Sequence, residues 1–194
     1  MSLLILGLVV FLGAHSVRIL APAWRDAQLA RMGEQTWKGL YSLVSAAGLG
    51  LIIWGYGLAR ADSPALWIPP IWTRHLAASL TLPAFILLVA AYLPGSRIKA
   101  AVGHPMVAGV KIWAVAHLLA NGTLADAALF GAFLAWAVLD FISARRRDRI
   151  ARRRYPVRSG PRDALVVGIG FAAWALFAFY GHAWLIGVSP FRVG

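Results

Sequence analysis

Six apolar stretches, at about residues 2–22, 39–59, 73–93, 105–121, 124–143 and 164–188, constrain this chain more than anything else in it. Each is close to the ~20 residues that carry a helix across a hydrocarbon core of ~30 Å. In lipid every backbone amide must find its partner within the segment or in a closed barrel, so stretches of this length are expected to be helices. The sequence therefore predicts an all-α, polytopic membrane bundle of six transmembrane helices, a single integral membrane domain over 1–194. The composition agrees: 60% of residues are hydrophobic, against about 45–50% in soluble domains. Nine tryptophans, nine phenylalanines and five tyrosines suit a chain whose aromatic side chains meet lipid headgroups.

The basic residues set an expected orientation. With the N-terminus outside, the inner loops carry Arg25, Arg31, Lys38, Arg97, Lys99 and the nine arginines between 145 and 162, whereas the outer loops and tail carry Arg60, Arg74 and Arg192. Such an imbalance places both termini in the periplasm of a bacterial inner (cytoplasmic) membrane, with 144–163 as a basic cytoplasmic loop. The net charge of +12 thus reports topology and contact with anionic lipid; nucleic acid is not an expected partner. "APA" at Ala21–Ala23 imitates a signal-peptide cleavage site. A charged n-region is missing, however, and His15 and Arg18 interrupt the apolar run, so the first segment reads as a retained helix.

Chemistry has to come from a short inventory. There is no cysteine, which removes thiolate metal sites, covalent haem attachment and cysteine nucleophiles. No G-x-S-x-G or H-E-x-x-H motif is present. Asp126 and Asp140 are about 21 Å apart along one helix, too far for a carboxylate pair. Ionisable groups inside spans are costly unless partnered, which makes each a candidate: His15, Arg18, Lys111, His117, Asp126, Asp140 and His182, with His75 and His104 at segment ends. At 1.5 Å per residue, His15 and His117 both fall near the midplane on different helices, where two imidazoles can grip a haem between them. Trp113 and Asn121 lie four residues either side of His117 and share its face, as one wall of a cofactor pocket would. Arg18, one turn after His15, sets a cation where an acidic group can dock.

Each candidate also has a plainer reading. Arg18 and Lys111 can snorkel or pair with Asp140, Trp113 can pack against lipid, and Asn121 can cap its helix before Gly122. His104 can set the entry to the fourth segment ahead of Pro105. Gly48, Gly50, Gly55 and Gly57, and the Gly131/Ala135 pair, read as helix-packing positions. "NGT" at Asn121–Thr123 reads as a tight turn between antiparallel helices.

"GAHS" (Gly13–Ser16), "GEQTWKGLYSLVS" (Gly33–Ser45), "LPAFILLVAAYLPG" (Leu82–Gly95), and "HP" followed by "WAVAHLLANG" (Trp113–Gly122) resemble the NnrU family. These are bacterial membrane proteins associated with denitrification. The resemblance runs closely through "WAVLDFISARRR", and the last segment is a looser match. More distantly the chain is similar to zeta-carotene isomerase, an integral membrane enzyme that binds haem b. Its ligand positions match His15 in "AHS" and His117, thirteen residues after His104. The resemblance implies haem b (iron protoporphyrin IX) on His15 and His117; helical spacing adds Trp113, Asn121 and Arg18 as its expected surroundings, Lys111 is a further nearby charge, and His104, His75 and His182 are reserve ligands.

The expected function is that of a redox-linked haem protein supporting nitrite and nitric oxide metabolism. One alternative is a haem-dependent cis–trans isomerase of a carotenoid or polyprenoid. Another is a cofactor-free assembly factor for a membrane oxidase or nitric oxide reductase. The corresponding partners are membrane lipid, an apolar lipid or carotenoid, nitric oxide, and denitrification or oxidase complexes. One position departs from the isomerase: Ala114 stands where that enzyme has a cysteine. A shared family does not by itself carry over a reaction.

Overall fold

A computed structural model describes residues 1–158 and 161–191. The helices are α1 (Ser2–Leu20), α2 (Pro22–Met32), α3 (Glu34–Ala61), α4 (Ile71–Tyr92), α5 (Arg97–Val102), α6 (Pro105–Ala120), α7 (Leu124–Ile150), α8 (Arg162–Leu176) and α9 (His182–Ile186). A single wide turn, Phe177–Gly181, joins α8 to α9 without breaking the rod. Five helical runs are long and apolar enough to cross a membrane: α1, α3, α4, α7 and the Arg162–Ile186 rod. The chain is therefore a multi-pass membrane protein. Helix α6 is apolar too, but its 16 residues rise only about 24 Å, less than the ~30 Å core.

Two boundaries move from their expected places. Helix α3 begins at Glu34 rather than near 39, and α7 runs on to Ile150 rather than stopping near 143. Arginine is a good helix former, so the charges at 145–149 end the hydropathy signal without ending the helix. Helix α2, eleven residues opened by Pro22, is an addition; it lies between two spans and is too polar to register as one.

Across the bundle the packing order is α3, α1, α7, α6, α4, α8, with α2 against α3. Small residues make this possible. Apart from Leu4, Leu8, Ile52, Pro105, Leu129, Phe130 and Val166, the buried apolar side chains among the described residues are alanines, as in membrane bundles, where close backbone approach replaces the hydrophobic effect between helices. The α1–α3 contact is closest at Gly7, Gly48 and Gly55. A Cβ there would meet backbone atoms of Ile52, Phe11 and Leu4, respectively. Gly50, Gly57 and Gly131 face open space instead. The packing role expected of the glycines thus holds for Gly48 and Gly55 but not for the other two, nor for Gly131. Large apolar side chains such as Val9, Leu43 and Trp54 point outward and are exposed, which suits lipid and would not suit water.

At one end of the bundle the α3–α4 connection is sewn to the turn between α6 and α7. Leu66 and Trp67 donate backbone N–H groups to the Gly122 carbonyl, Leu124 N–H donates to Pro64 O, and Ala125 N–H donates to Ser63 Oγ at 2.8 Å. The "NGT" turn does join antiparallel neighbours. Helix α7 then opens with a capping box: Thr123 Oγ1 accepts from Asp126 N–H, and Asp126 Oδ2 accepts from Thr123 N–H. Asp126 Oδ1 also accepts from the Tyr56 hydroxyl of α3 at 2.5 Å. This buried carboxylate is a structural tie between α3 and α7.

Candidate functional site

His15 is set into α1 by its own backbone. Its Nδ1–H donates to the Phe11 carbonyl at 2.7 Å, one turn back. That bond fixes the tautomer, and Nε2 has no hydrogen-bond partner among the described residues. The ring stacks on Phe11 at 4.2 Å and meets Tyr41 of α3 at 5.2 Å and Trp136 of α7 at 5.8 Å, centroid to centroid. His15 therefore stands where α1, α3 and α7 converge.

His117 repeats the arrangement on α6. Its Nδ1–H donates to the Trp113 carbonyl at 2.8 Å, again leaving Nε2 unpartnered among the described residues. The ring packs against Phe130 at 4.7 Å and Trp113 at 5.1 Å. Histidines that ligate metals commonly hold one ring nitrogen on a carbonyl so that the other is presented as a lone pair. Both imidazoles have that form.

A row of rings joins the two sites: His15, Phe11, Phe133, Trp113, His117, with centroid gaps of 4.2, 5.8, 5.5 and 5.1 Å. The histidines do not touch one another. His117 also lies nearer a helix end than the sequence suggested. Only two residues separate it from Ala120, the last residue of α6, and Asn121 caps that end by donating Nδ2–H to the His117 carbonyl at 2.9 Å.

Below His15 a cavity of about 730 Å³ opens at the end of the bundle where α1 and α7 finish and α6 begins. His15, Tyr41 and Trp136 line its inner part and Arg18 lies one turn further out; His117 is not among its lining residues. The rim carries Arg25, Lys99, Arg147 and Arg153 against Asp140 and Asp148. Asp140 faces Arg147 at 3.7 Å. Asp148 Oδ2 accepts from His104 Nε2–H and from the Tyr155 hydroxyl, both at 2.8 Å. Burial, together with the neighbouring carboxylate, holds the Tyr155 phenol above its ordinary pKa, so it stays a neutral donor at physiological pH. Replacing Tyr155 by Phe is expected to cost about 1 kcal/mol, because His104 still serves Asp148. Asp148→Ala should cost about 2–3 kcal/mol by stranding both donors. Thermal unfolding in detergent at pH 7 measures the difference.

The remaining candidates divide clearly. Lys111 does not pair with Asp140; its Nζ sits 3.7 Å from the centroid of the Phe141 ring, a cation–π contact. Arg18 makes no hydrogen bond or ion pair among the described residues and projects into the cavity mouth. Trp113 packs inside the aromatic row rather than against lipid, while Asn121 serves as the helix cap. His104 is engaged by Asp148. His75 is exposed. The His182 Nδ1–H donates to the Val188 carbonyl at 2.6 Å. Among the described residues no cluster of three or more His, Cys, Asp or Glu side chains forms a metal-ion site.

Tyr41, Trp136, Asp148 and Tyr155 are site residues that sequence reasoning passed over. Asp148 had a visible signal, the one carboxylate within the arginine run "RRRDRIARRR".

No curated protein and no solved structure matches this chain. A family match does exist, and it spans residues 3–190, from the second residue of α1 through α9, taking in both histidines and the cavity beneath them. On that match over nearly its whole length, the chain belongs to the NnrU protein family.

Proposed function

We propose that this NnrU family member is a haem b protein of the bacterial inner membrane, in which His15 and His117 would hold the haem, with a redox-linked role in denitrification. The observation that carries the reading is the matched state of the two imidazoles. Each has Nδ1–H held by the carbonyl one turn back and Nε2 unpartnered among the described residues. The donor set fits an iron porphyrin, which needs two neutral imidazoles and apolar walls. Phe11, Phe133, Trp113 and Phe130 supply such walls.

The row of rings joining the histidines would have to part for one porphyrin to reach both. The haem, when bound, supplies an iron whose affinity for axial imidazole and for nitric oxide changes with its oxidation state. The protein's share is narrower: the Phe11 and Trp113 carbonyls fix the tautomers, the aromatic walls exclude water, and Arg18 offers a cation toward a haem carboxylate. We further propose that α6 is a sixth, short pass, so that both termini face the periplasm. The arginine-rich α7–α8 connection, on the inner side in that arrangement, supports this.

The test is an absorption spectrum of protein purified from haem-sufficient cells, oxidised and then reduced with dithionite. A Soret band with sharpened visible bands on reduction is expected, lost or converted to a five-coordinate form in His15→Ala and in His117→Ala. His75→Ala, at an exposed position, should leave it unchanged. A colourless protein, or spectra unaltered by either ligand substitution, rejects the assignment.

A further inference from the structure

The cavity at the end of α1 combines three features that two histidine ligands do not call for. The first is an excess of positive charge: Arg18, Arg25, Lys99, Arg147 and Arg153 line it against two carboxylates. Both carboxylates are already engaged, Asp140 by Arg147 and Asp148 by His104 and Tyr155. Arg18 makes no ion pair among the described residues: Arg147, Arg25 and Arg153 act on it repulsively, and its one attractive neighbour, Asp140, is bridged to Arg147, while Arg25 is paired with Asp26. Like charges gathered at a recess are stabilised when an anion sits among them.

The second feature is an orphaned donor. Trp136 lines the same cavity, and its Nε1–H is buried without a hydrogen-bond acceptor among the described residues. A buried N–H left unpaired carries its full desolvation cost, which a ligand oxygen brought to it would remove. The third is depth. The Trp136 ring lies against His15, one helical turn further into the bundle than Arg18, or about 4.5 Å. Between and around them Ala14, Val17, Met106 and Val107 give an apolar lining.

We infer that this cavity is a receptor for the headgroup of a single anionic phospholipid, its phosphate among Arg18, Arg147 and Arg153 and an ester carbonyl on Trp136 Nε1–H. The order of groups matches that ligand class. In a phosphoglyceride the phosphate lies outermost, ester oxygens come just beneath it, and hydrocarbon follows. A soluble phosphate would satisfy the arginines but would leave Trp136 and the apolar lining unused. The inference does not rest on the haem reading: it shares Arg18 with it, but neither Nε2 of His15 nor that of His117 takes part, and Arg147, Arg153 and Trp136 belong to this site alone.

Native mass spectrometry of the full chain in detergent tests it, with phosphatidylglycerol, phosphatidylcholine and glycerol 3-phosphate as separate probes. One phosphatidylglycerol per chain should be retained and phosphatidylcholine should not. Arg18→Gln should weaken retention about tenfold, the loss of one charge-assisted bond. Trp136→Phe keeps the ring and removes the donor, and should weaken it by a smaller factor; it carries the test if Arg18→Gln fails to fold. The double variant Arg146→Gln, Arg149→Gln, at exposed positions on the same end of α7 but outside the cavity lining, should retain lipid as the parent does.

Three results overturn the inference. One is equal retention of phosphatidylcholine. Another is equal loss in the Arg146/Arg149 variant, which marks a diffuse surface effect. The third is displacement of the lipid by glycerol 3-phosphate at matching concentration, which marks a soluble ligand.

Discussion

Gly55→Leu is expected to destabilise the bundle by about 3 kcal/mol, through the backbone rather than through a side chain that can move aside. A Cβ at Gly55 overlaps backbone atoms of Leu3 and Leu4 on α1. Neither helix can yield there without separating along its length, because Gly48 and Gly7 hold the same crossing at Phe11 and Ile52. Gly57→Leu is the matched control. It adds the same side chain to the same helix two residues on, where nothing lies within 4 Å, and should change stability by less than about 0.5 kcal/mol. Unfolding titrations in mixed micelles measure both. Equal effects of the two substitutions would show that helix propensity, not α1–α3 contact, governs the response.

The second large effect belongs to Asp126, which is only 4% exposed. Its two oxygens accept from Tyr56 OH, Thr123 N–H and Thr123 Oγ1–H. Asp126→Ala removes one half of the capping box of α7, the Thr123 Oγ1 cap remaining, and leaves the Tyr56 hydroxyl with no other acceptor among the described residues. Half a capping box is worth up to about 1 kcal/mol and a stranded buried donor about 1–3 kcal/mol, so a loss of about 1–4 kcal/mol is expected. Tyr56→Phe removes the donor cleanly and should cost less. In Asp126→Ala the Phe substitution should then be nearly neutral or even restorative, giving a coupling of about 1–2 kcal/mol in the double-mutant cycle. Additivity within about 0.5 kcal/mol would show that Asp126 acts on α7 alone and does not tie it to α3.

Hydropathy made the membrane bundle readable, because span length and apolar content are local properties of each segment. The same locality explains what was hidden. Helix α7 outlasts its apolar stretch because intrahelical hydrogen bonding does not require apolar residues, and the seven added residues carry Asp148 to within reach of His104. A contact between residues 44 apart has no periodic signature. The glycines of α3 illustrate the limit more sharply. Gly48 and Gly55 are spaced seven apart, as are Gly50 and Gly57, so the sequence shows two small-residue faces of equal merit. Only the position of α1 decides between them. His15 and His117 were legible as unusual residues, and their partners Phe11 and Trp113 follow from helical spacing. The row of rings joining them depends on how α7 inserts, and that could not be read from α1 or α6.

Helix α1 makes its contacts out of chain order, and this sets a timetable for assembly. It can close against α3 as soon as residue 61 is in the membrane. Its other face, with His15, needs Trp136 and Phe133 of α7, which are made more than a hundred residues after α1. At about 5–20 residues per second that is a wait of roughly 5–25 s. During that interval an imidazole and the neighbouring Arg18 guanidinium lie open to lipid, water or the insertion machinery. The newborn protein thus passes through a half-built stage in which the polar side chains of its first helix are not yet enclosed, and this is the stage at which the insertion machinery has access to His15.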